Sequence, residues 1–361
     1  MLRPASKAGG VLFLLAARLQ SARLWTSKTW SLRGYMKRRE FLGLVGGGAA
    51  TWPLEARAQQ AVPVVGVVSG QSPGIDGRFA VAFRKSLREA GYVDSENVKV
   101  EYHWLDGQYD RLPALLTDLV RRQVAVIVAT GNVASIAAKA ATATVPIVFA
   151  AGEDPVKLGL VASLARPGGN ATGINFFVGE LVAKRLRLLH DLVPRAVRVA
   201  VLVNRDNAFS AEATLRAVQE AAPTMGLQTR IFNATTTGEI DAAFASLMHE
   251  RPDILFVAAD AFFFSRIAQL IALAARDGIP ATYSLRDYVT AGGLMSYGTD
   301  VADAFHQVGV YTGRILKGAK PADLPVMQST KFEFVINFQT ARALGIEVPP
   351  GLLSIADEVI E

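Results

Sequence analysis

The 361-residue chain has no cysteine, which excludes disulfides, thiol chemistry and a lipid anchor on an N-terminal cysteine. Histidine is scarce. The four present, His103, His190, His249 and His306, are scattered, and none lies near a paired carboxylate at metal-ligand spacing, so no metal site is expected. There is no Gly-x-x-x-x-Gly-Lys-Ser/Thr phosphate loop. The only dense glycine cluster, Gly43 to Gly48, lies in an N-terminal leader and is no dinucleotide site, so no cofactor is expected. Beyond the leader no apolar run reaches the ~20 residues that span a bilayer.

The leader reads Met36-Lys37-Arg38-Arg39-Glu40-Phe41-Leu42, then a glycine-diluted apolar stretch to Ala50, then Ala56-Arg57-Ala58. A basic start, a mildly apolar stretch and a small-x-small site are the three parts of a secretory signal. The paired arginines followed by x-Phe-Leu point to the twin-arginine route, with cleavage near Ala58 and a periplasmic product. A basic amphipathic helix is the alternative. Glycines 46, 47 and 48 argue against it, since each costs about 1 kcal/mol in a helix interior. Residues 1–35 carry six Lys/Arg and no acid, and read as a start-site artefact or a disordered stretch ahead of Met36.

Charge follows from the leader. Ten of the 38 Lys/Arg and two of the 32 Asp/Glu fall in residues 1–58, so the remainder holds 28 and 30, a net of −2. The basic balance of the whole chain is therefore no sign of nucleic-acid binding. About 300 residues follow the leader, enough for a large core divided into two lobes.

From Val62 onward, β-branched runs alternate with amphipathic helical stretches. Strands are expected at Val64–Ser69, Val98–Trp104, Val124–Thr130, Ile147–Ala151, Gly173–Phe177, Val199–Asn204, Gln228–Phe232, Ile254–Ala259, Ala281–Ser284 and Leu294–Tyr297. Several are apolar throughout, as parallel strands covered on both faces are. The fold class is α/β with right-handed crossovers. A weak repeat supports two similar lobes: Val124–Thr130, a helix and Val145-Pro146 echo Asp253–Asp260, a helix and Ile279-Pro280.

Ligands of parallel sheets bind beyond the carboxyl ends of the strands. The polar loops there contain Ser69, Thr130, Asn132, Glu153, Asp154, Asn207, Asp260 and Tyr283. Asp154 is read either as a partner for a ligand ammonium or as a cap ahead of Pro155, and Asp260 similarly. Of Phe262, Phe263 and Phe264, one could stack on a ligand while another serves the core.

Asp154-Pro155-Val156 with Gly159-Leu160-Val161, then Arg166-Pro-Gly-Gly-Asn-Ala-Thr-Gly-Ile174, resembles the substrate-binding proteins of ABC importers in the tryptophan-binding-like family. Ala90-Gly91-Tyr92 and Gly345-Ile-Glu-Val-Pro349 add to the likeness, which runs from about Val62 to Leu353. The resemblance implies a type I periplasmic-binding-protein architecture, in which two Rossmann-like lobes with parallel sheets are joined by crossing segments and close on a ligand. The expected division is lobe 1 at 59–176 with a return over about 292–328, and lobe 2 at 177–291 with 329–361. Carried over by position, the cleft residues are Ser69, Thr130, Asn132, Asp154, Asn207, Ser210 and Asp260. Gly131, Ala261 and Phe209 depart from the family pattern.

The implied activity is capture of a small molecule, such as an aromatic or branched amino acid, by a monomer that delivers it to an ABC permease. Asp154 or Asp260 would pair the ammonium and Ser69 or Thr130 the carboxylate. Phe176, Phe262, Tyr283 or Tyr297 would pack the side chain. A sensor subunit for a membrane receptor would need the same cleft, and a periplasmic α/β enzyme is the further alternative.

Overall fold

The computed structural model describes residues 62–71, 77–176 and 178–361; the leader and its cleavage site lie outside them. The first lobe contains β1 (Val64–Ser69), α1 (Gly77–Glu89), β2 (Lys99–Trp104), α2 (Leu112–Arg121), β3 (Val126–Thr130), α3 (Asn132–Ala141), β4 (Ile147–Ala151) and β5 (Ala171–Asn175). The second begins with α4 (Val178–Leu192), β6 (Arg198–Val203), α5 (Ala208–Ala221), β7 (Gln228–Asn233), α6 (Thr237–Glu250) and β8 (Ile254–Val257). It continues through α7 (Ala261–Phe264), α8 (Ile267–Arg276), β9 (Ala281–Tyr283), α9 (Arg286–Thr290) and β10 (Met295–Thr299). The remaining elements are α10 (Val301–Leu316), β11 (Met327–Gln328), β12 (Phe332–Asn337), α11 (Phe338–Ala343), α12 (Pro350–Ile355) and β13 (Glu358–Ile360).

The two sheets repeat one topology. The first has the order β11-β5-β4-β3-β1-β2 and the second β13-β12-β10-β9-β8-β6-β7. Without the C-terminal additions, 2-1-3-4-5 in one lobe matches 7-6-8-9-10 in the other. These strands are all parallel; among the described residues the one antiparallel strand pairing is β10 with β12. Alternate side chains of β3 enter different cores, Ile127 and Ala129 on one face and Val126 and Val128 on the other. Strand β8 does the same with Ile254 and Phe256 against Leu255 and Val257. Burial on both faces is why these strands read as unbroken apolar runs.

Three segments cross between the lobes. The chain passes from β5 into α4 around Phe176, returns between β10 and α10 near Asp300, and crosses again between β11 and β12 at residues 329–331. The expected return near residue 292 is corrected: β10 pairs with β9 and belongs to the second sheet, because Leu294 and Met295 are packed in that lobe's core. The Thr299 hydroxyl donates to the Phe176 carbonyl at 2.8 Å, and the Asp300 amide to that of Lys331 at 3.0 Å, tying the crossings together.

Helix α10 was not expected from the sequence, since Gly309 and Gly313 weaken its helical pattern. Both are there for close approach to α1. A Cβ on Gly309 would lie 1.8 Å from Ser86 Oγ, and one on Gly313 2.5 Å from Ala90 Cβ. Ala304, Val308, Tyr311 and Ile315 complete the core of the first lobe. Strand β12 was also missed; it and β13 extend the second sheet. No described helix is long and apolar enough to cross a membrane.

Candidate functional site

A cavity opens between the lobes at the carboxyl ends of the parallel strands, enclosing about 1020 Å³ of non-protein space with its open mouth included. In both lobes it adjoins the point where the strand order reverses, between β1 and β3 and between β6 and β8.

The first lobe contributes Gln71, Tyr109, Thr130, Gly131 and Asn132. Gly131 has φ +88°, which lets the chain turn from β3 into α3 without a side-chain cap. Asn132 is buried, and its Oδ1 accepts the amides of Gly152 at 2.9 Å and Glu153 at 3.3 Å, binding the β3 loop to the β4 loop. Tyr109 follows β2 in a short 3₁₀ turn. Burial, reinforced by the charges of Asp260 and Asp206 across the cleft, pushes its phenol above the ordinary range.

The second lobe contributes Asp260, Asn207, Ser210 and Arg185. Asp260 caps α7: its Oδ1 accepts the amides of Phe262 at 2.9 Å and Phe263 at 3.3 Å. The same oxygen accepts Asn204 Nδ2 at 3.0 Å, and Oδ2 accepts Asn207 Nδ2 at 3.0 Å. Burial raises its pKa, and these four bonds oppose the rise. Ser210 donates to the Ala259 carbonyl at 2.9 Å. Asn207 Oδ1 is buried with no hydrogen-bond partner.

Phe176, Leu181, Phe264, Leu285, Tyr297 and Phe305 add an apolar wall. The lobes are in contact around it. Arg266 of the second lobe pairs with Asp106 of the first at 3.0 Å, and the rings of Phe79 and Phe264 stack with centroids 5.9 Å apart.

Of the residues expected from sequence, Thr130, Asn132, Asn207, Ser210 and Asp260 meet at this cavity. Ser69, Asp154 and Tyr283 do not line it. Ser69 is buried at the end of β1, where its Oγ accepts the Gln71 amide at 3.2 Å. Asp154 accepts the Val156 amide at 2.9 Å in a turn around Pro155, where no helix follows for it to cap. Tyr283 lies within the second core, stacked on Tyr288 with centroids 4.5 Å apart. Of the aromatic residues, Phe176 and Tyr297 line the cavity, whereas Phe262 packs under Arg266 and Phe264 takes the place beside the cleft.

Arg185 and Tyr109 were missed by sequence reasoning. A signal for Arg185 exists: it lies on the buried stripe of α4 with Val182, Leu186 and Leu189, at spacings of three and four.

Residues 62–360 match the family described as ABC transporter substrate binding protein. The chain belongs to that family. A tyrosine-binding protein from Clostridioides difficile (strain R20291) is 27% identical over 277 residues, 77% of this chain and 79% of that one. A Streptococcus pneumoniae ABC domain solved in complex with L-Trp is 27% identical, with a TM-score of 0.75 over 82% of this chain and 99% of that one. The ligand-free, open structure of a Clostridium difficile substrate-binding protein with adhesive properties is 25% identical, with a TM-score of 0.59 over 83% and 99%.

Proposed function

We propose that this substrate-binding protein captures an amino acid with an apolar side chain in the inter-lobe cavity, in the periplasm, and presents it to an ABC permease. The observation that carries the reading is the make-up of the cavity. The Asp260 carboxyl, held by four hydrogen bonds, and the free acceptor Asn207 Oδ1 stand beside an aromatic wall, between the strand ends of two lobes. An ammonium fits the first and an apolar side chain the second. Tyrosine and tryptophan, named for the two relatives, have that shape.

Closure is the functional step. A ligand shifts an open–closed equilibrium only as far as it binds the closed form better. Thr130 and Asn132 on one wall and Asp260 and Asn207 on the other reach one ligand together only when the lobes meet. The periplasmic setting is supported by the leader and the family, and simple binding rather than turnover by the family's role.

The test is a thermal-shift and calorimetric screen of the purified chain against the twenty amino acids, small carboxylates, sugars and nucleosides. An amino acid at a hundred times its Kd is expected to add about 2.7 kcal/mol of stability. Conversion of the bound compound into a product would overturn the reading, as would a sugar or nucleoside binding in place of every amino acid.

A further inference from the structure

Arg185 is 1% exposed, lines the cavity, and has no acidic partner among the described residues. Its guanidinium lies over the Phe256 ring, 4.2 Å from the centroid. One Nη donates to the Val257 carbonyl at 3.3 Å, and Nε has no partner. Burial pulls its pKa down, yet a guanidinium remains protonated near pH 7. A buried, unpaired cation is costly to the fold. The α4 stripe that holds Val182, Leu186 and Leu189 could have held another apolar residue here.

We propose that Arg185 is the anion-binding residue of the cleft and that the ligand is seated on it through a carboxylate. This rests on the proposed amino-acid reading and assigns one end of that ligand. Phe256 fixes the plane of the guanidinium and Val257 one of its donors. The remaining donors suit a planar, two-oxygen acceptor, the geometry in which arginine surpasses lysine. On the same wall of the cavity Asn207 Oδ1 is the orphan acceptor. The two unpartnered atoms are thus one donor and one acceptor, as the two ends of a zwitterion require. Thr130 and Ser69 are not needed for the carboxylate: the Thr130 hydroxyl faces the Val68 carbonyl at 3.4 Å, and Ser69 is outside the cavity.

The experiment is calorimetric titration of the wild-type chain, Arg185→Met and Arg185→Lys with three matched probes: L-tyrosine, its deaminated analogue 3-(4-hydroxyphenyl)propionate, and its decarboxylated analogue tyramine. Melting of each protein without ligand is measured alongside. Both carboxylates are expected to bind wild type and tyramine to fail. Arg185→Met is expected to bind the carboxylates about a hundredfold more weakly, with Arg185→Lys between. The ligand-free Arg185→Met protein is expected to melt at or above wild type, since it loses an unpaired buried charge; a guanidinium serving only the fold would lower the melting point. Tyramine binding as well as tyrosine, Arg185→Met keeping its carboxylate affinity, or Arg185→Met melting several degrees lower would each overturn the proposal. If no probe binds wild type, the melting comparison decides by itself. Binding of the deaminated probe without tyrosine would overturn the amino-acid reading and leave Arg185 standing. Equal binding of tyrosine to wild type and Arg185→Met would do the reverse.

Discussion

The two walls of the cleft are built on equivalent strands and solve the same problem differently. After β3, the turn into α3 uses Gly131 at positive φ, and Asn132 ties its carbonyl oxygen to two backbone amides. After β8, the turn into α7 uses a buried carboxylate that caps the helix and gathers Asn204 and Asn207. The first wall is neutral, and its asparagine oxygen is bonded to backbone. The second holds the acidic and the basic side chain that line the cavity, Asp260 and Arg185, and two orphan polar atoms, Asn207 Oδ1 and Arg185 Nε. A repeated fold therefore carries an asymmetric site, with recognition of charge concentrated in the second lobe.

The largest effect is expected from Asp260→Ala. It strips the cap from α7 and leaves two buried asparagine amides unpaired. Unfolding in urea should show a loss of about 2–4 kcal/mol, together with loss of ligand binding. Asn132→Ala is the matching change on the other wall. It leaves the Gly152 and Glu153 amides without their acceptor, for about 1–3 kcal/mol by the same measurement, but with a smaller loss of affinity. Equal affinity losses at the two sites would break the asymmetry.

Glu153, just beyond β4, sharpens the contrast between the carboxylates. Burial is the main cause of a pKa raised to about 7, with Arg216 and Lys157 opposing it, and Oε1 has no partner. Between the unfolded value of 4.5 and about 7, the folded chain holds a proton that the unfolded chain does not. Stability should therefore fall as pH rises through that window and be level on either side. Glu153→Gln should remove the fall, melting above wild type at pH 8 by about 1–2 kcal/mol after allowance for partial exposure, and matching it below pH 4.5. The smallest effect is expected at the rim. Arg266→Gln breaks the partly exposed pair with Asp106, worth about 0.5 kcal/mol. It should weaken closure slightly, seen as a modest rise in Kd that shrinks at high salt.

Much of this architecture was legible in the sequence because parallel strands buried on both faces are apolar throughout, and the repeat of strand, helix and x-Pro survives in both halves. Every expected strand overlaps an observed one. Helix α10 escaped because the glycines that let it touch α1 also erase its helical signature. Within the site, Asp260 was legible as the polar residue ending a buried strand. Asp154 had the same appearance, and only its placement, in a turn bonded to Val156, separates the two.

The sequence by itself determined the fold class, the doubled lobe and the family, since these rest on periodicities and motifs local in the chain. The tertiary structure decided which polar residues face one another. That choice depends on how α4 rolls against β8 and where three crossings bring the lobes into contact. Those distances span more than fifty positions of sequence: Asn207 meets Asp260, and Arg185 meets Val257. No local pattern encodes such pairings. An arginine on an apolar stripe reads as an exposed charge until the sheet is packed beneath it.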